Sequence, residues 1–218
     1  MLTNVPAREA PFPQPLPTKQ APETKEPPLA VEEIQGNILA GFNKDNQTLL
    51  FLRIDAPARF KLWLKQLIPL IATTDEVLKF NRLFKQIRTR QSVESRTILA
   101  TWVNIAFSFP GLKKLAPDAD AFQDEAFKEG LARRSKLLND PQAGEGFEKN
   151  WLIGSENKQA DLILIVASDS EKELEDEVVR LETAIYDGFR SKGGITPSGA
   201  TVIFKQHGAT LPDPLRGA

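Results

Sequence analysis

The chain reads as an α+β domain: one antiparallel sheet with helices on a single face, preceded by a proline-rich arm and interrupted by a helical insertion. Three observations predict this. Strand and helix signals alternate from Thr48 onward. One strand-length run, Asp161 to Ser168, is apolar without alternation. Helix-length segments carry apolar residues at three- and four-residue spacing. With 218 residues and 41% hydrophobic content, the chain can bury a real core in one domain with a tail, or in two small domains.

The first strand is TLLFLRID, Thr48 to Asp55, ended by Ala56-Pro57. Proline suits a helix start because the donor it lacks would have no partner there. The helix that follows sets Phe60, Trp63, Leu64 and Leu67 on one side. A second helix begins at Thr73, where TTDE offers a capping box with Glu76. It places Val77, Phe80, Phe84 and Ile87 at helical spacing and ends near Arg90. The second strand, Ile98 to Phe109, is rich in β-branched and aromatic residues and is stopped by Pro110-Gly111. An insertion then runs to about Gly154, with a helical stretch from Ala121 to Leu138 and a loop DPQAGEG near its end. The third strand, Asp161 to Ser168, is expected to be central, since a strand apolar on both sides needs cover on both. Ser170 with Glu173 forms another capping box and opens a helix whose Leu174, Val178, Leu181, Ile185 and Phe189 make one stripe. Lys192-Gly193-Gly194 closes it, and the last strand is Gly199 to His207. With the extra helix and the insertion set aside, the order is β-α-β-β-α-β, the ferredoxin-like arrangement.

That arrangement covers one sheet face, yet the strands are apolar on both. Leu50, Leu52 and Ile54 point one way while Leu49 and Phe51 point the other; Val202 and Phe204 oppose Ile203. The face away from the helices is therefore expected to have a partner: the insertion, a second copy of the fold, or another chain.

The remaining composition excludes more than it assigns. Eight of the sixteen prolines fall between Pro6 and Pro28, so residues 1–31 read as an extended arm and residues 32–218 as the folded domain. The arm is read as a linker or tail rather than as a docking motif. Twenty-nine acidic and 28 basic residues nearly cancel, so no overall field favours nucleic acid or an anionic membrane. Without cysteine there are no disulfides and no thiolate sites. No apolar run approaches the roughly 20 residues of a membrane span. The N-terminus has no secretory pattern, and a cytoplasmic location is expected. The glycines form neither GxGxxG nor GxxxxGKS/T, so phosphate-cradling loops are absent.

Four stretches carry a resemblance. EIQGNILAGF (Glu33 to Phe42), IATTDEVLKFNRLF (Ile71 to Phe84), TWVNIAFSFPGLKKL (Thr101 to Leu115) and AFKEGLARRSKLLNDP (Ala126 to Pro141) are similar to the N-terminal half of DyP-type (dye-decolorizing) haem peroxidases, and the likeness continues into LPDPLRGA (Leu211 to Ala218). The resemblance implies two ferredoxin-like halves packed together, with haem b held mainly in the C-terminal one. It implies a hydrogen-peroxide-dependent oxidation of phenolic or dye substrates. The family's GxxDG aspartate, proximal histidine and distal arginine lie beyond the matching stretches and have no counterpart in these 218 residues. No catalytic, haem-binding or metal-ligating residue is therefore assigned, and the chain alone is expected to bind no haem.

By residue type, His207, the single histidine, and Tyr186 are the two possible iron ligands. His207 ends a strand, as an ordinary hydrogen-bonded histidine would; Tyr186 follows Ile185 at the core edge, where packing is expected. Lys79, Arg82, Lys85, Arg88 and Arg90 recur at helical spacing and could meet phosphates or haem propionates, but Asp75 and Glu76 make a solvated, paired helix face the plainer reading. Arg133-Arg134 carries the same two readings. Trp63, Trp102 and Trp151 could relay electrons in such an enzyme, with core packing as the default. Two functions follow: a scaffold half that needs a C-terminal partner for peroxidase chemistry, or a non-catalytic ferredoxin-like module that dimerises through its free sheet face.

Overall fold

Residues 29–91 and 99–211 are described by a computed structural model. The arm up to Pro28, the start of the expected second strand at Ile98 and the tail from Pro212 to Ala218 lie outside the described residues, as do the side chains of Arg88 and Arg90. Along the chain come α1 (Gly36–Leu39), β1 (Asn46–Ile54), α2 (Pro57–Leu67), α3 (Thr74–Gln91), β2 (Thr101–Phe107), α4 (Phe109–Leu115), α5 (Glu125–Arg134), β3 (Leu162–Ser168), α6 (Glu171–Tyr186), β4 (Phe189–Ser191), β5 (Gly194–Thr196) and β6 (Ala200–Ala209). The main sheet runs β2-β3-β1-β6 and every pairing in it is antiparallel, which is the ferredoxin-like order expected from the chain. β3 is interior, between β2 and β1, as its two apolar sides require.

Register decides which side chains share a face. Leu50 lies opposite Leu164 and Lys205, Leu52 opposite Leu162 and Val202, and Val103 opposite Val166. This face is buried against Phe60, Trp63 and Leu67 of α2 and Leu174, Val178, Leu181 and Ile185 of α6. Each such side chain contributes about 1.5–3 kcal/mol of apolar transfer, so the two helical stripes are what hold the helices on the sheet. The Trp63 indole, fully buried, donates Nε1–H to the Ala184 carbonyl at 2.8 Å and so ties α2 to α6.

Helix starts follow the capping chemistry. Glu76 and Thr73 bond reciprocally, the Thr73 N–H to Oε2 at 2.8 Å and the Glu76 N–H to Oγ1 at 3.2 Å; Ser170 Oγ accepts the Glu173 N–H at 3.3 Å. Other boundaries differ from expectation. Strand β2 stops at Phe107 because Ser108 caps a helix: its Oγ accepts the Gly111 N–H, and Pro110 occupies the first turn, where its missing donor costs nothing. Pro110-Gly111 thus lies inside α4, a helix additional to the expected elements. The expected helix from Ala121 to Leu138 contracts to α5, interrupted at Gly130. The helix α6 ends at Tyr186, and Phe189 belongs to a small hairpin, β4 with β5, that stacks Phe189 on Trp63 at 5.3 Å. Gly188 ends the helix: it follows the Asp187 cap at φ 84°, and a Cβ there would stand 2.6 Å from the Thr196 carbonyl oxygen.

The segment EIQGNILAGF has a structural role. Strand β2 is a sheet edge, and the Gln35 amide pairs with it as another strand would: Nε2 donates to the Ile105 carbonyl and Oε1 accepts the Ile105 N–H, both at 2.9 Å. Next to it, the Gly36 N–H bonds the Ala72 carbonyl and the Asn37 N–H bonds Oδ1 of fully buried Asn104. A Cβ on Gly36 would stand 2.6 Å from the Val77 side chain, so only glycine lets α1 lie this close to α3.

Candidate functional site

The second face of the sheet is the feature the helices leave unused. On it, Leu49 faces Ile165 and Gln206, and Phe51 faces Ile163 and Phe204. All but exposed Gln206 are half-buried, in contrast to the fully covered Leu50 and Leu52 between them. The Phe51 and Phe204 rings meet at 5.7 Å with a 58° tilt. Of the three possible covers, the insertion places its helices elsewhere: α4 packs on α2 and β1, and α5 packs on α4.

Polar and cationic groups frame this face. At one end Thr201 Oγ1 donates to Asp55 Oδ2 at 2.6 Å and Arg53 Nε donates to Oδ1 at 2.7 Å. These bonds, the one from Thr201 first, hold the Asp55 carboxyl below its ordinary value, and Asp55 in turn raises the Arg53 guanidinium. Along the β2 side, Trp102 meets Phe80 edge-on at 5.5 Å, and Lys44 Nζ lies 4.7 Å from the Phe80 centroid and 5.8 Å from that of Trp102. The Lys44 side chain is only 6% exposed and is neutralised by Asp169, whose Oδ2 also accepts the Ala100 N–H. The frame is satisfied internally, while the apolar centre has no covering helix among the described residues. Such a surface is suited to burial against another apolar sheet.

The residues singled out by type do not converge on this face. His207 lies on the helix side of β6, where Nδ1 shares a 2.9 Å hydrogen bond with fully buried Thr48 Oγ1, and Glu171, Glu175 and Glu182 line the groove beside it. Tyr186 departs from the expected packing role: at the last turn of α6 it is 60% exposed. Lys79, Arg82 and Lys85 are exposed, and Lys79 pairs with Asp75 at 2.6 Å, which raises its pKa. Arg133 pairs with Glu156 at 3.6 Å. Of the tryptophans, Trp63 is core; Trp151 is half-buried and donates Nε1–H to the Gly146 carbonyl at 3.1 Å; Trp102 alone borders the open face. Among the described residues no group of three or more His, Cys, Asp or Glu could hold a metal ion, and no helix is long and apolar enough to cross a membrane.

A family model described as the DyP dimeric alpha+beta barrel domain matches residues 33–196. The chain belongs to this DyP family. The dye-decolorizing peroxidase msp1 of Mycetinis scorodonius is 30% identical over 175 residues, covering 78% of this chain and 30% of that protein. The dye-decolorizing peroxidase of Mycena epipterygia is 26% identical over 198 residues, covering 90% of this chain and 31% of its own. Among solved structures, an ancestral D-type dye decolorizing peroxidase superposes with a TM-score of 0.66 at 32% identity, over 86% of this chain and 36% of that one. The DyP-family chain thus spans about a third of the length of the relatives it matches. The resemblance carried by the four sequence stretches and the ferredoxin-like sheet agree with this membership.

Haem is the group that DyP peroxidases imply. The groove beside His207 carries Glu171, Glu175 and Glu182 against one cation, Lys205, which pairs with Glu182 at 2.9 Å, so its net charge is unfavourable to haem propionates; Thr48 holds Nδ1 of the imidazole. Tyr186 stands on the exposed C-terminal end of α6.

Proposed function

We propose that this DyP-family chain supplies one sheet of a two-sheet assembly and does no peroxidase chemistry by itself. The open face formed by Leu49, Phe51, Ile163, Ile165 and Phe204 carries the reading: a half-exposed apolar sheet centre is the surface that a second sheet would cover. That second sheet is the C-terminal half of a haem-dependent peroxidase of this family, which would hold haem b and the groups that act on peroxide. The chain's own residues then orient and exclude water from the joint, and the oxidation of phenolic or dye substrates belongs to the assembled pair.

A second reading is a non-catalytic module that pairs with its own copy. The family's description as a dimeric barrel domain favours it. Light scattering on the purified chain separates the two. A dimer that dissociates when Ile165→Asp or Phe204→Asp is introduced, without loss of the thermal transition, supports self-pairing; a folded monomer that these substitutions do not alter supports the unfilled-partner reading. Haem addition completes the test: the expected result is no Soret band, and a stable band with peroxide turnover by the chain alone would refute both readings.

A further inference from the structure

At the Phe107 end of β2 lies an open cleft of about 360 Å³ that the sheet-face assembly does not use. Phe107, Phe109 and Pro110 form one wall, and Phe127, Leu131 and Ala132 of α5 form the other. Phe109 and Phe127 meet edge to face with their centroids 5.7 Å apart, and Phe122 continues the ring cluster at 5.4 Å from Phe127. Phe122 and Leu131 are 49% and 63% exposed, so apolar surface runs out of the cleft onto its lip. Inside, Ser108 is already committed, its Oγ donating to the Ala160 carbonyl and accepting the Gly111 N–H. At the rim Gln159 is exposed and its amide is a donor, while Lys128 and Glu129 are of opposite sign. The lining therefore suits an uncharged, ring-bearing chain that has carbonyls to spare.

We propose that this cleft is the docking site of the chain's own segment 11–17, PFPQPLP. Proline at every second position biases the residue before it toward extended backbone, and aromatic-lined grooves bind polyproline II segments because little conformational freedom is left to lose. With three residues per turn, Phe12 and Pro15 fall in one column and Pro13 and Leu16 in the next, two adjoining apolar faces, while Gln14 falls on the third. The prolines donate no N–H, so the segment's carbonyls outnumber its donors and the Gln159 amide can serve one of them. The segment is uncharged, as the lining requires. The volume is roughly twice the ~150 Å³ that encloses benzene, room for the Phe12 ring and a proline beside it. The tether also reaches. From residue 17 to Leu29, where the described chain begins, the backbone spans up to about 40 Å. Beyond it, the Val31 carbonyl accepts the Asp75 N–H and Gln35 is bonded to Ile105, two residues short of Phe107, a route of under about 30 Å. Composition alone makes the arm a linker; the cleft supplies the surface it would dock on.

The chain has no cysteine, so Gln14→Cys in the full chain gives a single attachment point for a nitroxide, on the column turned away from the cleft. In dilute isotope-labelled protein the amide signals of Phe127, Gly130 and Gly154 should be lost to broadening, and that of Ala209, at the opposite edge of the sheet, should be kept. Pro13→Ala with Pro15→Ala frees the segment's backbone and should weaken docking roughly four- to thirtyfold. Leu131→Asp, at an exposed site, should release the segment, and the thermal midpoint of each variant reports that it is folded. Absence of broadening at the cleft, or broadening that survives both sets of substitutions, overturns the proposal. So does broadening centred on Phe51 and Phe204, which would seat the arm on the open sheet face. A spin-labelled chain mixed with an isotope-labelled one should leave the cleft signals intact; their loss would put the segment on a neighbouring copy and overturn docking within one chain. The cleft lies beside α5 and the open face elsewhere on the sheet, so this test and the light-scattering test of sheet pairing fail separately.

Discussion

Replacing Asp161 is the sharpest test of how this fold is held together, because one buried carboxylate joins three elements. Its Oδ2 accepts the Ile54 N–H at 2.6 Å, at the end of β1, and meets Lys114 Nζ of α4 at 2.6 Å; its backbone N–H bonds Leu52 and its carbonyl accepts the Ser108 N–H. Asp161→Ala keeps the two backbone bonds and strands the Ile54 N–H in a buried place, which costs about 1–3 kcal/mol. Loss of the Lys114 pair adds only about 0.2–1 kcal/mol, because the lysine side chain is 38% exposed and screened by solvent. A total near 2.5 kcal/mol should lower the midpoint of thermal unfolding by about 5–10 °C for a domain of this size. Asp161→Asn retains an acceptor for Ile54 and loses only the charge, so at about 0.2–1 kcal/mol its shift should be about 0.5–4 °C. Circular dichroism at the helix band measures both. The reasoning fails if Asp161→Ala shifts the midpoint no more than Asp161→Asn does, or if Lys114→Met alone reproduces the whole loss.

Two further outcomes follow from local chemistry. Gln35→Glu keeps the acceptor for the Ile105 N–H but sets a carboxylate oxygen against the Ile105 carbonyl, 2.9 Å from the atom it replaces. It should destabilise the domain by about 1–3 kcal/mol at neutral pH, and protonation in mild acid should restore part of that loss, read as a pH-dependent melting difference from the parent. Thr201→Val removes the leading cause of the low Asp55 pKa, so the carboxyl resonance of Asp55 should titrate at higher pH than in the parent. The sign is that of a depressed carboxyl: its stabilisation is present above the unfolded value of about 3.9 and is lost as pH falls through the folded value. At this exposed position the effect on stability stays within about 0.2–1 kcal/mol.

Periodicity and capping made much of the architecture legible. The stripe from Leu174 to Ile185, the Thr73–Glu76 and Ser170–Glu173 boxes and the unbroken apolar run of β3 all act within a few residues of chain, and the structure places each as read. The double-sided apolarity of β1 also signalled the open face, since alternation alone assigns Leu49 and Phe51 to a side opposite Leu50 and Leu52. On β6 alternation fails: a register shift between Phe51 and Leu52 sets Val202 opposite Leu52 on the helix face and Phe204 opposite Phe51 on the open one. Other features had no local signal. Gln35 gave no hint that its amide would seal an edge 70 residues away, and Ser108 looked like the end of a strand, although it caps a helix. Phe189 matched the α6 stripe by spacing, but the left-handed Gly188 before it stops the helix and passes Phe189 to the hairpin, where it stacks on Trp63.

The sequence by itself determined the α+β class, the strand order and the family, because those rest on patterns in neighbouring residues and on stretches of matching chain. Only the tertiary structure decided which apolar face stays open, that His207 is held by Thr48 beside three glutamates, and that α4 and α5 flank an open, ring-lined cleft. Each of these depends on contacts between residues far apart in the chain, and a burial or hydrogen bond made across such a separation leaves no periodic trace at either end.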